Sequence, residues 1–443
     1  MRAEPNGLRL CRVSATAESA AEPRDTVMAV RRQLNWTLVM GAVSAALLVA
    51  YLVAWVRIDG LEIARSDFTS TYVGATLLRE GHGSEMYDQS LQTVLHSELD
   101  PADKGGNLPF VNPPLAAALA MPVSLLGLDA AYRVWSLVQL ALLVVAVMVA
   151  LRAAPIQTLR RGQIAAIALL ALASVGTWAM FIQGQWDGVS ALGLATAYAS
   201  LRRGRPATAG VLLAVTSLIG KPQLALCLAA FVVGRRDWRL IAGGLAGLAV
   251  CAGLSVLIAG TAGVAGFLGG LVGSLTRWQL TTMVSLVGIG AAVTGSTAGA
   301  YIVAAIGGAM AMALAAALGS AVRARPDRLE AGLAGAAVLS VLASPHALPH
   351  DLALLVPPAA WCFAALAARR PRPAALLKAA ILVWIALSAA AAADTVLDGQ
   401  VPPGPLTPWV LIAAAALAVA VAVRAPTREP ARPAPIPVSP KTR

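Results

Sequence analysis

Asp67 is the first residue whose type and setting could do chemistry. It stands just past an apolar run, at the start of the stretch DFTSTYVGATLLREG. A carboxylate there could take the proton from an attacking hydroxyl as a general base. The plain alternative is a helix N-cap, a place Asp fills well. Lys221 lies inside an apolar hairpin beside Pro222 and Gln223. A cation at membrane depth is costly, so it normally faces a cavity and holds an anion or a carboxylate. A lysine snorkelling to an interface is the other reading.

Three further clusters carry polar groups between apolar runs. Gln183, Gln185 and Asp187 lie in the turn QGQWDG. They could bond the hydroxyls of a sugar, or simply form a polar turn between antiparallel helices. His346, His350 and Asp351 form HxxxHD. A histidine pair four apart can bind a metal, but Pro349 disfavours a regular helix there and the HExxH glutamate is missing. No metal is therefore expected, and a phosphate or sugar contact is preferred over one. Arg277, with Trp278 and Gln279, interrupts an apolar region. It could pair with a phosphate or anchor an interface.

These residues must be positioned by membrane helices. The chain has 443 residues, 58% of them hydrophobic and 13% charged. A soluble domain carries about a quarter charged residues, so the solvent here is lipid and the helix is the spanning unit. The net charge of +12 is held mostly by arginines in short connectors. That placement reads as topology, with basic connectors on the cytoplasmic side. No basic face with aromatic readers is visible, so nucleic acid is not an expected partner. The cysteines, Cys11, Cys227, Cys251 and Cys362, have no paired spacing, and neither disulfides nor a thiolate metal site is expected.

The expected organisation is a polar cytoplasmic extension over 1–34, a transmembrane domain over 35–424 and a disordered basic tail over 425–443. Residues 1–30 lack the apolar core of a cleavable signal, so the first span, 35–56, reads as an uncleaved anchor, with Met28 a plausible alternative start. Residues 57–112 hold nine acidic residues against four basic ones. They are expected on the outer side, with one short helix ending at Gly81 and a second over DQSLQTVLHSEL. Residues 113–128 read as a re-entrant or half-helix. Lys221-Pro222 splits 206–234 into two arms too short for ordinary spans, the pattern of broken helices lining a cavity. The fold class is an all-α polytopic bundle of ten to thirteen membrane segments. Both termini fall in the cytoplasm, while DFTS, QGQWDG, GKP and SPHALPHD converge on the outer side.

The order of these motifs resembles a known family. One span precedes SDFTSTYVGATLLREGHGSEMYD; then come FVNPPLAAALAMPVSLL, FIQGQWDG, GKPQ before a helix ending in RRDWR, and SPHALPHD. The chain resembles glycosyltransferase family 87, the polyprenol-phosphate-mannose-dependent mannosyltransferases, over about residues 36–425. The resemblance implies a GT-C fold in the bacterial inner membrane. It implies transfer of a hexose, mannose above all, from a polyprenyl-phosphate sugar to a lipid or glycan acceptor at the outer face, with inversion. The lipid-linked donor is then a substrate and no cofactor is expected.

The resemblance also assigns residues. Asp67 falls on the family's base, and Tyr72 and Tyr87 on the aromatic positions after it. Gln185, Lys221 and His350 match polar positions of the family cavity. Lys221, Arg277, His346 and His350 are the candidates for the donor phosphate. Tyr72, Tyr87, Asn112, Gln185, Asp187, Gln223 and Asp351 are the candidates for sugar or acceptor. Asn112 stands where the family often has tyrosine before its Pro-Pro pair, and Asp187 where it often has asparagine. Two other functions fit the same features: a transporter or flippase for lipid-linked glycans, and a structural partner in a polysaccharide assembly complex.

Overall fold

The computed structural model describes residues 22–101, 108–274, 279–369, 374–396 and 405–423. Among them all regular structure is helical. The first apolar run lies in α1 (Glu22–Arg57). The acidic loop follows as α2 (Gly60–Ala64), α3 (Phe68–Arg79) and α4 (Gln89–Leu99). The two loop helices expected from the sequence are therefore present. Gly81, at φ 88°, makes the left-handed turn after the first. Asp88 opens the second by accepting from the Ser90 amide at 2.7 Å.

The half-helix expected over 113–128 is α5 (Pro114–Ala120) with a 3₁₀ turn at Val123–Leu125. Then come α6 (Leu128–Ala153), α7 (Arg161–Leu172), α8 (Val175–Gln183) and α9 (Asp187–Arg202). The interrupted hairpin is α10 (Pro206–Ile219), a 3₁₀ turn at Pro222–Ala225 and α11 (Leu226–Arg235). Beyond it lie α12 (Trp238–Ser274), α13 (Leu286–Thr294), α14 (Thr297–Ala324) and α15 (Leu329–Ala343). A 3₁₀ turn at Pro349–Leu355 leads into α16 (Val356–Ala368), followed by α17 (Ala374–Val396) and α18 (Thr407–Val423). Within α12, Gly260 leaves helical geometry at φ 65°, so the element is two helices joined at a kink.

Among the described residues six helices are long and apolar enough to cross a membrane, or seven if α7 and α8, bent by 58°, form one broken span. The expected ten to thirteen segments depends on counting shorter apolar helices such as α10, Pro222–Arg235 and α18. Large apolar side chains face outward, Leu257 at 82% and Met310 at 69% exposure. Water would penalise such a surface and lipid would not.

Two buried clusters matter for the site. The larger runs through α6, α9, α15 and α16. The smaller holds the acidic loop's helices onto the bundle through Trp55, Phe68, Tyr132, Trp135, Phe181 and Trp186. Three of its aromatic polar tips are satisfied across elements. Trp186 Nε1 donates to Thr71 Oγ1 at 3.1 Å, Tyr132 to the Ile182 carbonyl at 2.7 Å, and Trp135 Nε1 to the Gly184 carbonyl at 2.9 Å. The first bond ties α3 to the turn between α8 and α9, and the other two tie α6 to the end of α8 and that turn.

Candidate active site

The site is built where four helices stop short. The α8–α9 turn reverses at Gly184, with φ 62°. A Cβ there would also lie 2.8 Å from Phe68 Cβ, so only glycine allows both the turn and the close approach of α3. The turn then grips Asp67 twice. Gln183 Oε1 accepts from the Asp67 amide at 3.1 Å, and Gln185 Nε2 donates to Asp67 Oδ2 at 2.6 Å.

Asp67 precedes α3, yet its side chain makes no capping bond and its backbone is helical, φ −60° and ψ −23°. The capping alternative thus loses its hydrogen bond. The carboxylate is turned instead toward the α8–α9 turn and His350, with 22% of the side chain exposed. Burial pushes its pKa up; the Gln185 bond and the Lys221 charge pull it down, and the nearby Asp351 charge pushes it up again.

Beside it lies a buried chain of charged groups. His350 Nδ1 is 3.6 Å from Asp67 Oδ2, and His350 Nε2 is 3.6 Å from Asp351 Oδ2. Asp351 sits in the turn Pro349–Leu355, where its Oδ2 also takes the Leu348 amide at 2.7 Å. Lys221, at the break between α10 and the Pro222–Ala225 turn, donates to Asp351 Oδ1 at 2.6 Å. The same ammonium is 3.1 Å from Asp187 Oδ2 at the start of α9. A lysine in this setting needs a partner, and here it has two carboxylates.

Asp187, His350 and Asp351 each place one ligand atom within 4.8 Å of the others. That spacing suits a cation, and the Lys221 ammonium contacts both carboxylates of the trio. The lysine supplies the positive charge that the cluster calls for.

A cavity of about 450 Å³ opens in front of this network. Its polar wall includes Asp67, Asn112, Gln185, Lys221, Gln223, His346 and His350. Its apolar wall comes from residues such as Leu226 and Leu271. Asn112 is oriented by donating to the Gly220 carbonyl at 3.3 Å. Burial pushes His346 down to about 4, so at neutral pH it meets a ligand as a neutral imidazole.

The structure thus gathers Asp67, Asn112, Gln185, Lys221, Gln223, His346 and His350 around one space, although they span most of the chain. Four other candidates stand behind or outside that wall. Tyr72 donates to the Leu126 carbonyl at 2.9 Å and Tyr87 to the Asn112 carbonyl at 2.6 Å. Asp187 and Asp351 are fully buried against Lys221. Arg277 lies outside the described residues. The sequence reading missed the Lys221–Asp187–Asp351 pairing and the grip of Gln183 on the Asp67 backbone. The available signal was one buried cation and two acids, each at a helix break in apolar surroundings.

The sequence model of glycosyltransferase family 87 matches residues 110–345. That stretch contains Asn112, Gln185, Asp187, Lys221 and Gln223, and leaves Asp67 and His350 on either side of it. No curated protein and no solved structure matches the chain.

Proposed function

The chain belongs to glycosyltransferase family 87, and on that premise we propose that it moves a hexose, mannose above all, from a polyprenyl-phosphate sugar to a lipid or glycan acceptor, with inversion. The observation that carries the reading is the state of Asp67. Its carboxylate caps no helix, borders the cavity and is oriented by Gln185.

In this reaction the acceptor hydroxyl oxygen forms a bond to the sugar's anomeric carbon. The bond from that carbon to the phosphate oxygen breaks on the opposite face. Asp67 takes the hydroxyl proton, and the electron pair leaves with the polyprenyl phosphate. A phosphate leaves without protonation, so one base suffices. Hydrogen-bond donors at the departing phosphate lower the barrier. Lys221, His346 and His350 border the same cavity and are assigned that role, together with Arg277. Asn112, Gln185 and Gln223 contact sugar or acceptor. Asp187 and Asp351 act through Lys221.

We place the reaction at the outer face of the bacterial inner membrane, with both termini cytoplasmic. Each of α9, α11, α14 and α16 ends at or beside arginine. The Asp67 cavity lies at the other ends of α9, α10 and α11. Basic residues favour the cytoplasmic side, which leaves the cavity outside.

The test is to incubate the purified chain in vesicles with radiolabelled polyprenyl-phosphate mannose and a lipid extract. A new labelled lipid or glycan is expected. Movement of labelled donor across the bilayer with no new product would identify a flippase instead.

A further inference from the structure

A second cavity, of about 430 Å³, lies at the arginine-rich ends of α9 to α12, away from Asp67. It is bordered by Leu201, Pro206, Arg235, Asp237, Trp238 and Arg239. Its size is within the range of small-ligand sites. We propose that it holds the phosphate headgroup of an anionic phospholipid, bound by Arg235 and Arg239.

The charge balance supports an anion. The Arg235 and Arg239 guanidinium groups make no hydrogen bond or ion pair among the described residues, and Arg235 is half-buried. Among the described residues Asp237 is the only acid in the wall; its charge acts on Arg235, but it forms no direct ion pair with it and caps α12. Its Oδ1 accepts the Arg239 amide at 3.1 Å and the Leu240 amide at 3.3 Å. Two guanidinium groups without such partners beside a cavity are suited to a phosphate, which arginine can bind bidentately. The exposed Arg203, Arg205 and Arg236 add positive field around the opening.

The helices beside the cavity are closely packed. A Cβ on Gly210 would come 2.1 Å from the Leu240 carbonyl, and one on Gly243 would come 2.0 Å from the Ala207 carbonyl. The start of α10 is therefore packed backbone to backbone on α12.

Its level in the bilayer selects a lipid over a soluble phosphate. Trp238 is 78% exposed at the start of α12, as interfacial tryptophans are. Farther along the same helix Leu245 and Leu248 also face outward, 60% and 46% exposed. A headgroup in the cavity would leave its acyl chains against that apolar flank.

The test uses the full chain in nanodiscs of equal phosphatidylglycerol and phosphatidylcholine, transferred to detergent, with retained lipid weighed by native mass spectrometry. The parent should retain phosphatidylglycerol over phosphatidylcholine. The double variant Arg235→Gln/Arg239→Gln should lose about tenfold more of that preference than the control Arg160→Gln/Arg161→Gln at the start of α7, because both give up the same general surface attraction and only the first also gives up charge-assisted bonds to a held phosphate. Equal losses in the two variants would mean general surface attraction and overturn the site. No preference in the parent, or displacement of the lipid by millimolar inorganic phosphate, would overturn it as well.

Discussion

Asp67→Asn separates a catalytic base from every structural use of the same residue. The replacement keeps shape and removes one charge. The Asn oxygen can still accept from Gln185, so a charge-assisted bond becomes a neutral one, a change of about 1 kcal/mol. Burial offsets part of this. The native carboxyl has a raised pKa, so the folded state binds its proton more tightly than the unfolded state. Stability from this group therefore falls as pH rises through the folded pKa, and a neutral Asn avoids that cost. No capping bond is lost, since none is made. The melting temperature should stay within a few degrees of the parent. The rate should not. Removing a general base costs about 10²–10⁴, or about 3–5 kcal/mol in transition-state energy. The assay is sugar transfer from polyprenyl-phosphate mannose, expressed per folded molecule. An Asn variant within a few-fold of the parental rate would refute the base and return Asp67 to a structural role.

Lys221→Ala should lose about 3–5 kcal/mol of stability, because it leaves Asp187 and Asp351 buried without their counter-charge. Thermal unfolding in detergent measures this, and Lys221→Met combined with Asp187→Asn and Asp351→Asn should regain most of it; a parental melt for the single variant would refute the pairing. The acid limb of kcat/KM should lie above the usual Asp value of about 4, because Asp67 works only without its proton and burial raises its pKa. Gln185→Leu removes a bond that favours the charged form, so the limb should move to still higher pH; an unmoved limb would detach it from Asp67. Cysteine introduced at the exposed Glu85 should react with an impermeant reagent added outside, and cysteine at Arg203 should not; the reverse would invert the topology.

The helices were legible where apolar sequence is continuous. Apolar runs bounded by arginine marked α1, α6 and α14, and turn chemistry at Gly81 and Asp88 marked α3 and α4. The number of full spans was less legible, because length alone separates a crossing helix from a half-helix and the breaks at Gly184 and Lys221 shorten several segments. Asp67 shows the limit most clearly. Its position before α3 favours a cap, but Gln185, far along the chain, holds the carboxylate instead. Asp187 and Asp351 show the same limit from the other side. Their isolation among apolar residues reads as ligand contact, while the fold spends both on Lys221. Contacts between residues 34 to 130 positions apart leave no mark in local spacing.

That pairing changes how a phosphate must be held. Around the cavity stand three carboxylates, Asp67, Asp187 and Asp351, and one ammonium, Lys221. His346 is neutral at ordinary pH because burial holds it near 4. Lys221 is already engaged by Asp187 and Asp351, so the cluster has no spare positive charge to offer, and an incoming phosphate must be held largely by hydrogen-bond donors. The donors lie unevenly. Asn112 and Gln223 border the space with His346 and Lys221, while the Asp67 carboxylate is held by Gln185. A phosphate is favoured at Lys221 and His346 rather than beside the Asp67 carboxylate. An acceptor hydroxyl, which carries no charge, is tolerated beside Asp67. A donor phosphate and an acceptor hydroxyl on opposite sides of a sugar carbon is the arrangement an inverting displacement requires. The buried cluster thus supports the proposed reaction by leaving the phosphate to other donors as well as through its base.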